Sequence, residues 1–342
     1  MPMPMLSRAP FRRFRECGRV CFARRAVVGC RAFGWAVVGA AVMMLGTIPV
    51  PAAGLGFMAG TDGGFRFDTG VLRGKLRVGG KSMGLQEVTH LATRQRLDRS
   101  NGLLSHYRVF TAGQRYGGGA WDWPSTARLR DDGAVEVSWP EVEGRPIEMR
   151  AVYRWRDAAT VDLETTVKGS ADLRGLEVFV ASYFHERFTN AMVAVATAGA
   201  GGSLPVPTLV RATREEGEWQ MFPRDDGAVA LIRDGRWKLE PNPVDWMIRS
   251  PFARPLFRRR ALSSGLNGVL MAPAEECFAV ATPFESEGHY SGYFSLFGRD
   301  LRAGETHRAR VRLTIAVAKS DAAVLAMYDE ARKEWDAAGP GR

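Results

Sequence analysis

Residues 115–125 read RYGGGAWDWPS, and the runs MRAVYRW at 149–155 and VDLETTV at 161–167 follow it. Together these stretches decide the fold class. Three consecutive glycines open backbone conformations closed to other residues, and Pro124 fixes the exit. In an extended segment Trp121 and Trp123 project to one face. Flat aromatic surface beside bare backbone suits a ring-shaped polar ligand, and it equally suits a glycine bulge carrying core tryptophans. The runs at 135–139 (VEVSW), 149–155 and 161–167 alternate apolar and polar residues, the pattern of half-buried strands. DDG at 131–133 and EGRP at 143–146 are turns by composition. LEVFVASYF at 176–184 is more continuously apolar and predicts a central strand, buried on both faces or in a sandwich core.

The series of strands continues at 228–233 (AVALIR), 269–271, 278–282, 293–297 and 307–317. The last run places Ala309, Val311, Leu313, Ile315 and Val317 on one face. One helix is predicted, at 322–335, capped by Ser320 or Asp321. Val324, Leu325, Tyr328, Ala331 and Trp335 have helical spacing, with Glu330, Lys333 and Glu334 solvated. Many short strands and one helix give an all-β protein, a large antiparallel β-sandwich with a C-terminal helix. The sandwich spans residues 53–318, and the helix and tail span 319–342. Residues 199–207 (GAGGSLPVP) form an exposed loop.

Of the 342 residues, 46% are hydrophobic, enough for a sizeable core, and the net charge is +10. Eight arginines and one glutamate within residues 1–31 account for +7 of that charge, which leaves +3 for the remainder. No basic arm is left to follow a phosphate backbone, so nucleic acid is excluded as a partner. The uncharged run at 32–48 and the small residues near Ala52 complete an export signal. Residues 1–52 are therefore a signal peptide, or an N-terminal anchor if uncleaved, the one route to a membrane. The expected location is exported, periplasmic or extracellular, in a bacterium. Cys17, Cys21 and Cys30 fall in this leader, and Cys277 remains as a buried small hydrophobe. The histidines at 90, 106, 185, 289 and 307 lack metal-ligand spacing, and no metal or cofactor is implied.

Three motifs resemble the galactose mutarotase-like β-supersandwich superfamily, which includes the aldose 1-epimerases. They are YGGGAWDWPS at 116–125 with its following strands, SYF at 182–184, and the stretch from CFAVATP at 277–283 to LRAGE at 301–305. The resemblance implies that a histidine protonates the ring oxygen while a glutamate takes the anomeric proton. Laid over SYF and the closing strand, those two positions fall on Ala181 and Thr282, neither of which can carry a proton. The resemblance thus implies a sugar-binding sandwich without standard epimerase machinery.

Candidate site residues follow. His185 and Glu186 are the candidate acid/base pair. His106, Tyr116, Trp121, Trp123, Arg224, Asp225, Asp245, Trp246 and His289 are candidate sugar contacts. The stretches 219–225 (WQMFPRD) and 237–249 (WKLEPNPVDWMIR) mix aromatic faces with hydrogen-bonding groups, as carbohydrate recognition needs. They also fit loops covering a core. The arginines at 258–260 read as a solvated run that would suit an acidic glycan. The leading expectation is a secreted carbohydrate-binding protein taking a mono- or oligosaccharide. A polysaccharide lyase, glycoside hydrolase or atypical epimerase using His185/Glu186 is the alternative, with His289, Tyr290 and Arg259 as further lyase candidates. A structural envelope module is the third reading.

Overall fold

A computed structural model describes residues 55–61, 63–77, 82–198 and 205–339. The expected leader and residues 199–204 lie outside the described residues. Among the described residues three antiparallel sheets build the body. A five-stranded sheet runs in sequence order from Met58–Ala59 to Gln95–Arg96. A nine-stranded sheet has the spatial order Val206–Arg211, Asn190–Thr197, Phe252–Arg260, Leu266–Met271, Thr306–Val317, Thr160–Gly169, Ile147–Asp157, Val135–Trp139 and Thr126–Leu129. A seven-stranded sheet runs Met247–Ile248, Trp219–Pro223, Cys277–Pro283, Ser291–Leu301, Leu173–Tyr183, Ser105–Thr111 and Gln114–Arg115. Its one parallel pair is the short edge at Gln220↔Met247.

The alternation read in the sequence becomes layers. Val137, Met149, Ala151, Leu163 and Val311 of the nine-stranded sheet meet Val109, Val178, Val180 and Leu296 of the seven-stranded sheet in one core. Two polar ties cross it: His106 Nε2 lies 2.9 Å from Thr165 Oγ1, and the Tyr153 hydroxyl donates to the Leu104 carbonyl. The outer face of the nine-stranded sheet, with Met192, Leu256, Val269 and Met271, is covered by helix α2 (Asp321–Ala337) through Val324, Tyr328, Ala331 and Trp335. Ser320 caps that helix by accepting from the Ala323 N–H. The outer face of the seven-stranded sheet carries a second apolar cluster, rich in aromatic residues.

Several expectations need correction. Residues 228–233 are not a strand: Asp226–Ile232 is a helix, α1. Asp225 caps it by accepting from the Ala228 N–H at 2.8 Å, a local signal that outweighs a short apolar run of ambiguous period. Conversely, 219–225 contains a regular strand, Trp219–Pro223, and the strand Val206–Arg211 begins inside the expected 199–207 loop. Arg258 and Arg259 are not solvated; they sit buried within the strand Phe252–Arg260, Arg258 paired with Asp321 and Arg259 donating to backbone carbonyls. Glu334 bridges Arg312 and Arg156, and Val317 is exposed at its strand's end.

Candidate functional site

The outer face of the seven-stranded sheet floors a concave cavity of ≈ 360 Å³. One of its interior strands, Leu173–Tyr183, turns Phe179, Ala181 and Tyr183 toward the cavity and Val178 and Val180 toward the core. Tyr293 arrives from the neighbouring strand, where it stands opposite Ala181. On the other side the register slips: Phe179 pairs with Arg108, yet Val180 pairs with His106. The extra residue is Tyr107, so this β-bulge lets consecutive Tyr107 and Arg108 both line the cavity. Trp219 comes from the strand beyond, and Trp237, Asn242, Pro243, Val244 and Trp246 come from the segment after α1.

That segment is anchored from beneath. Arg236, fully buried beside Trp237, donates to the Gly175 carbonyl and pairs with Glu177 at 3.2 Å and Asp234 at 2.8 Å. Burial pushes the Glu177 carboxyl up, opposed by Arg236 and by the Ser295 hydroxyl donating to it. Gly175 has φ +55°, and a Cβ there would stand 2.8 Å from Arg236 Nη2, so both backbone and approach demand glycine. Arg115 ties the glycine-rich stretch to the same segment, donating to the Gly117, Gly118, Leu239 and Pro241 carbonyls.

The rings form a continuous wall. Phe179 stacks on Tyr293 at 4.8 Å and meets Trp237 edge-on at 4.8 Å. Trp246 stands edge-on to Trp237 and Trp219, and Trp219 meets the His289 ring at 5.4 Å. The polar groups are mostly donors. Trp237 Nε1 and Trp246 Nε1 are buried without a partner. His289 Nδ1 lies 2.8 Å from Glu287 Oε1, so Nδ1 donates to the carboxylate and the ring is held in place. Burial pushes the Tyr293 hydroxyl up to about 12, and burial with the nearby Tyr293 and Tyr107 raises Tyr183 well above its ordinary value. Both remain neutral hydroxyls at physiological pH, able to hydrogen-bond but not to act as resident bases.

Solved structures are similar to this chain. A protein of Escherichia coli K12 provisionally described as an aldose 1-epimerase covers 74% of this chain and 98% of its own, with 10% identity and a TM-score of 0.42. A protein of Synechocystis sp. PCC 6803 covers 75% and 96%, with 11% identity and a TM-score of 0.46. The α-N-acetylgalactosaminidase NagBb of Bifidobacterium bifidum, solved with GalNAc, covers 67% of this chain and 33% of its own, with 12% identity and a TM-score of 0.40. No family model and no curated protein matches the chain.

Of the expected contacts, Trp246 and His289 line the cavity. Trp121 lies one layer behind, stacked on Tyr107 at 4.2 Å with planes 9° apart. Trp121 and Trp123 do not share a face, because Ala120–Asp122 is a 3₁₀ turn and not an extended segment. Trp123 instead enters the main core under Arg145, its Nε1 donating to the Tyr116 carbonyl. Tyr116 is buried with its hydroxyl near Thr111, and His106 is enclosed between the sheets, where burial lowers it to about 3. Arg224 and Asp225 pair with each other at the start of α1, and Asp245 is an exposed partner of Lys238. His185 and Glu186 lie in the turn after the strand Leu173–Tyr183, outside the cavity lining, with His185 Nδ1 accepting from the Arg187 N–H.

Ala181 is fully buried on the cavity face, whereas Thr282 turns to the opposite side and donates to the Ser291 carbonyl. Arg108, Phe179 and Asn242 were missed; the bulge that lets Arg108 line the cavity beside Tyr107 leaves no mark in the alternation of SHYRVFT. No group of three His, Cys, Asp or Glu among the described residues could hold a metal ion.

Proposed function

We propose that the protein binds a carbohydrate in the aromatic cavity, without the acid/base pair of an aldose 1-epimerase. The observation that carries this reading is the lining itself: seven aromatic side chains, with Arg108, Asn242 and His289, and no aspartate or glutamate. Ring faces meet the C–H surface of a sugar, while indole, guanidinium and amide N–H groups meet its hydroxyls. Epimerisation or hydrolysis needs proton-carrying groups on both sides of the reacting atom, and no carboxylate lines this cavity. The half-burial of Trp219 and Trp246 at an open cavity also supports ligand contact over a purely structural module. The basic, apolar and small-residue pattern of residues 1–52 supports action outside the cytoplasm.

Calorimetric titration with a panel of mono- and oligosaccharides tests the reading. Binding that is lost in Trp246→Ala, with the melting temperature retained, is the expected result. No binding to any sugar in the panel overturns it.

One observation favours a second reading as an enzyme. His289, oriented by Glu287, faces Tyr183 with ring centroids 6.5 Å apart. A lyase or other acid/base reaction would route proton transfer through His289 Nε2. Turnover of a polysaccharide that vanishes in His289→Ala and persists in His185→Ala is the outcome that would establish it.

A further inference from the structure

Arg108 is only 3% exposed, yet it forms no ion pair among the described residues. Its Nη2 donates to the Asn242 carbonyl at 2.7 Å and to the Tyr107 hydroxyl at 3.3 Å. The N–H groups on Nε and Nη1 have no hydrogen-bond partner. The guanidinium lies over the Tyr107 ring at 4.9 Å and the Trp237 ring at 5.1 Å, so aromatic faces, not carboxylates, surround the charge.

Four other buried arginines are neutralised. Arg236 meets Glu177 and Asp234, Arg258 meets Asp321, Arg310 meets Glu276, and Arg312 meets Asp162 and Glu334. Arg145 and Arg259 lack a carboxylate, but they donate to backbone carbonyls inside the protein and neither lines the cavity. Arg108 alone of the three does. The neighbouring Arg115 adds to the positive field, and its own guanidinium is held below the usual range by burial first and then by the Arg108 charge.

A desolvated cation without a counterion is costly, and an ionised acceptor offsets that cost far better than a neutral hydroxyl. Building on the sugar-binding reading above, we propose that the cavity takes a carboxylated sugar, a uronic acid residue, with its carboxylate at Arg108 and its ring against the aromatic wall. This differs from Arg258 and Arg259, which the fold encloses away from solvent.

The test is isothermal titration of the full protein with D-glucuronate, D-galacturonate, D-mannuronate and L-guluronate, each as monosaccharide and trisaccharide. Their methyl esters, the matching neutral sugars and the hexose 6-phosphates run in parallel. The expected result is at least about tenfold tighter binding of one uronate than of its ester. That advantage shrinks between about 0.05 M and about 0.5 M salt. Arg108→Gln removes that advantage, so that uronate and ester then bind with equal affinity whatever the change in overall affinity, and thermal melting confirms the fold. If Arg108→Gln does not fold, Arg108→Lys is expected to keep part of the uronate preference. Equal affinity for uronate and ester overturns this inference and leaves the sugar-binding cavity standing. Binding of hexose 6-phosphates without uronates overturns the carboxylate in favour of phosphate. No binding by any member of the panel overturns both readings.

Discussion

Phe179 is the hub of the aromatic wall, and replacing it with alanine separates wall from floor energetically. Its ring is 1% exposed and contacts Tyr293 and Trp237 at 4.8 Å each, with Trp246 at 6.2 Å and Tyr107 at 6.5 Å. Buried Phe→Ala changes cost about 3–5 kcal/mol from lost transfer energy and the space left behind. The vacated volume adjoins an open cavity that water can enter, which places this site near the lower end, about 3 kcal/mol. A loss of that size lowers the melting temperature by about 5 °C in a domain of this length. Differential scanning calorimetry reads the shift, and near-UV circular dichroism reads the loss of coupling between Tyr293, Trp237 and Trp246. Phe179→Leu, which keeps most of the volume, is expected to cost only about 1 kcal/mol. A shift under about 2 °C for the alanine variant, with the near-UV spectrum unchanged, would refute the role assigned to Phe179.

Three further outcomes follow from the fold. His106 is held down to about 3 from 6.5 by burial, so the unfolded chain binds more protons across that interval. Its contribution to stability is complete above about pH 6.5 and falls by about 1.4 kcal/mol per unit as pH drops toward about 3. Urea midpoints at several pH values should show this slope in the wild type and lose it in His106→Gln. Trp335→Ala should lower stability by about 3 kcal/mol or more by undocking α2, yet leave sugar affinity unchanged, since α2 covers the sheet face away from the cavity. Asp225→Ala should cost about 1 kcal/mol through loss of the α1 cap and leave affinity within about twofold, which a direct sugar contact would not.

The strand pattern was legible because the sheets are half-buried: VEVSW, MRAVYRW and VDLETTV alternate between core and solvent, and each became a strand at or within a few residues of its expected bounds. AVALIR was not legible, because a short apolar run satisfies either period and its cap, Asp225, looked like a ligand. The stretches around Trp219 and Trp246 were readable as aromatic surface from composition. Arg108 was not, since its exposure to the cavity depends on a one-residue bulge set by its neighbours. The stretch RYGGGAWDWPS turns out to support the cavity and not to line it: Arg115 clamps the segment 239–241 and Trp121 backs Tyr107.

The most direct test of the central claim is the crystal structure of the protein grown with the tightest-binding sugar of the panel. Density for the pyranose ring between Trp246, Trp219 and Tyr293, with an acidic group at Arg108, is the predicted result. A sugar bound elsewhere, such as beside His185 and Glu186, with the aromatic cavity filled only by water, would contradict the account.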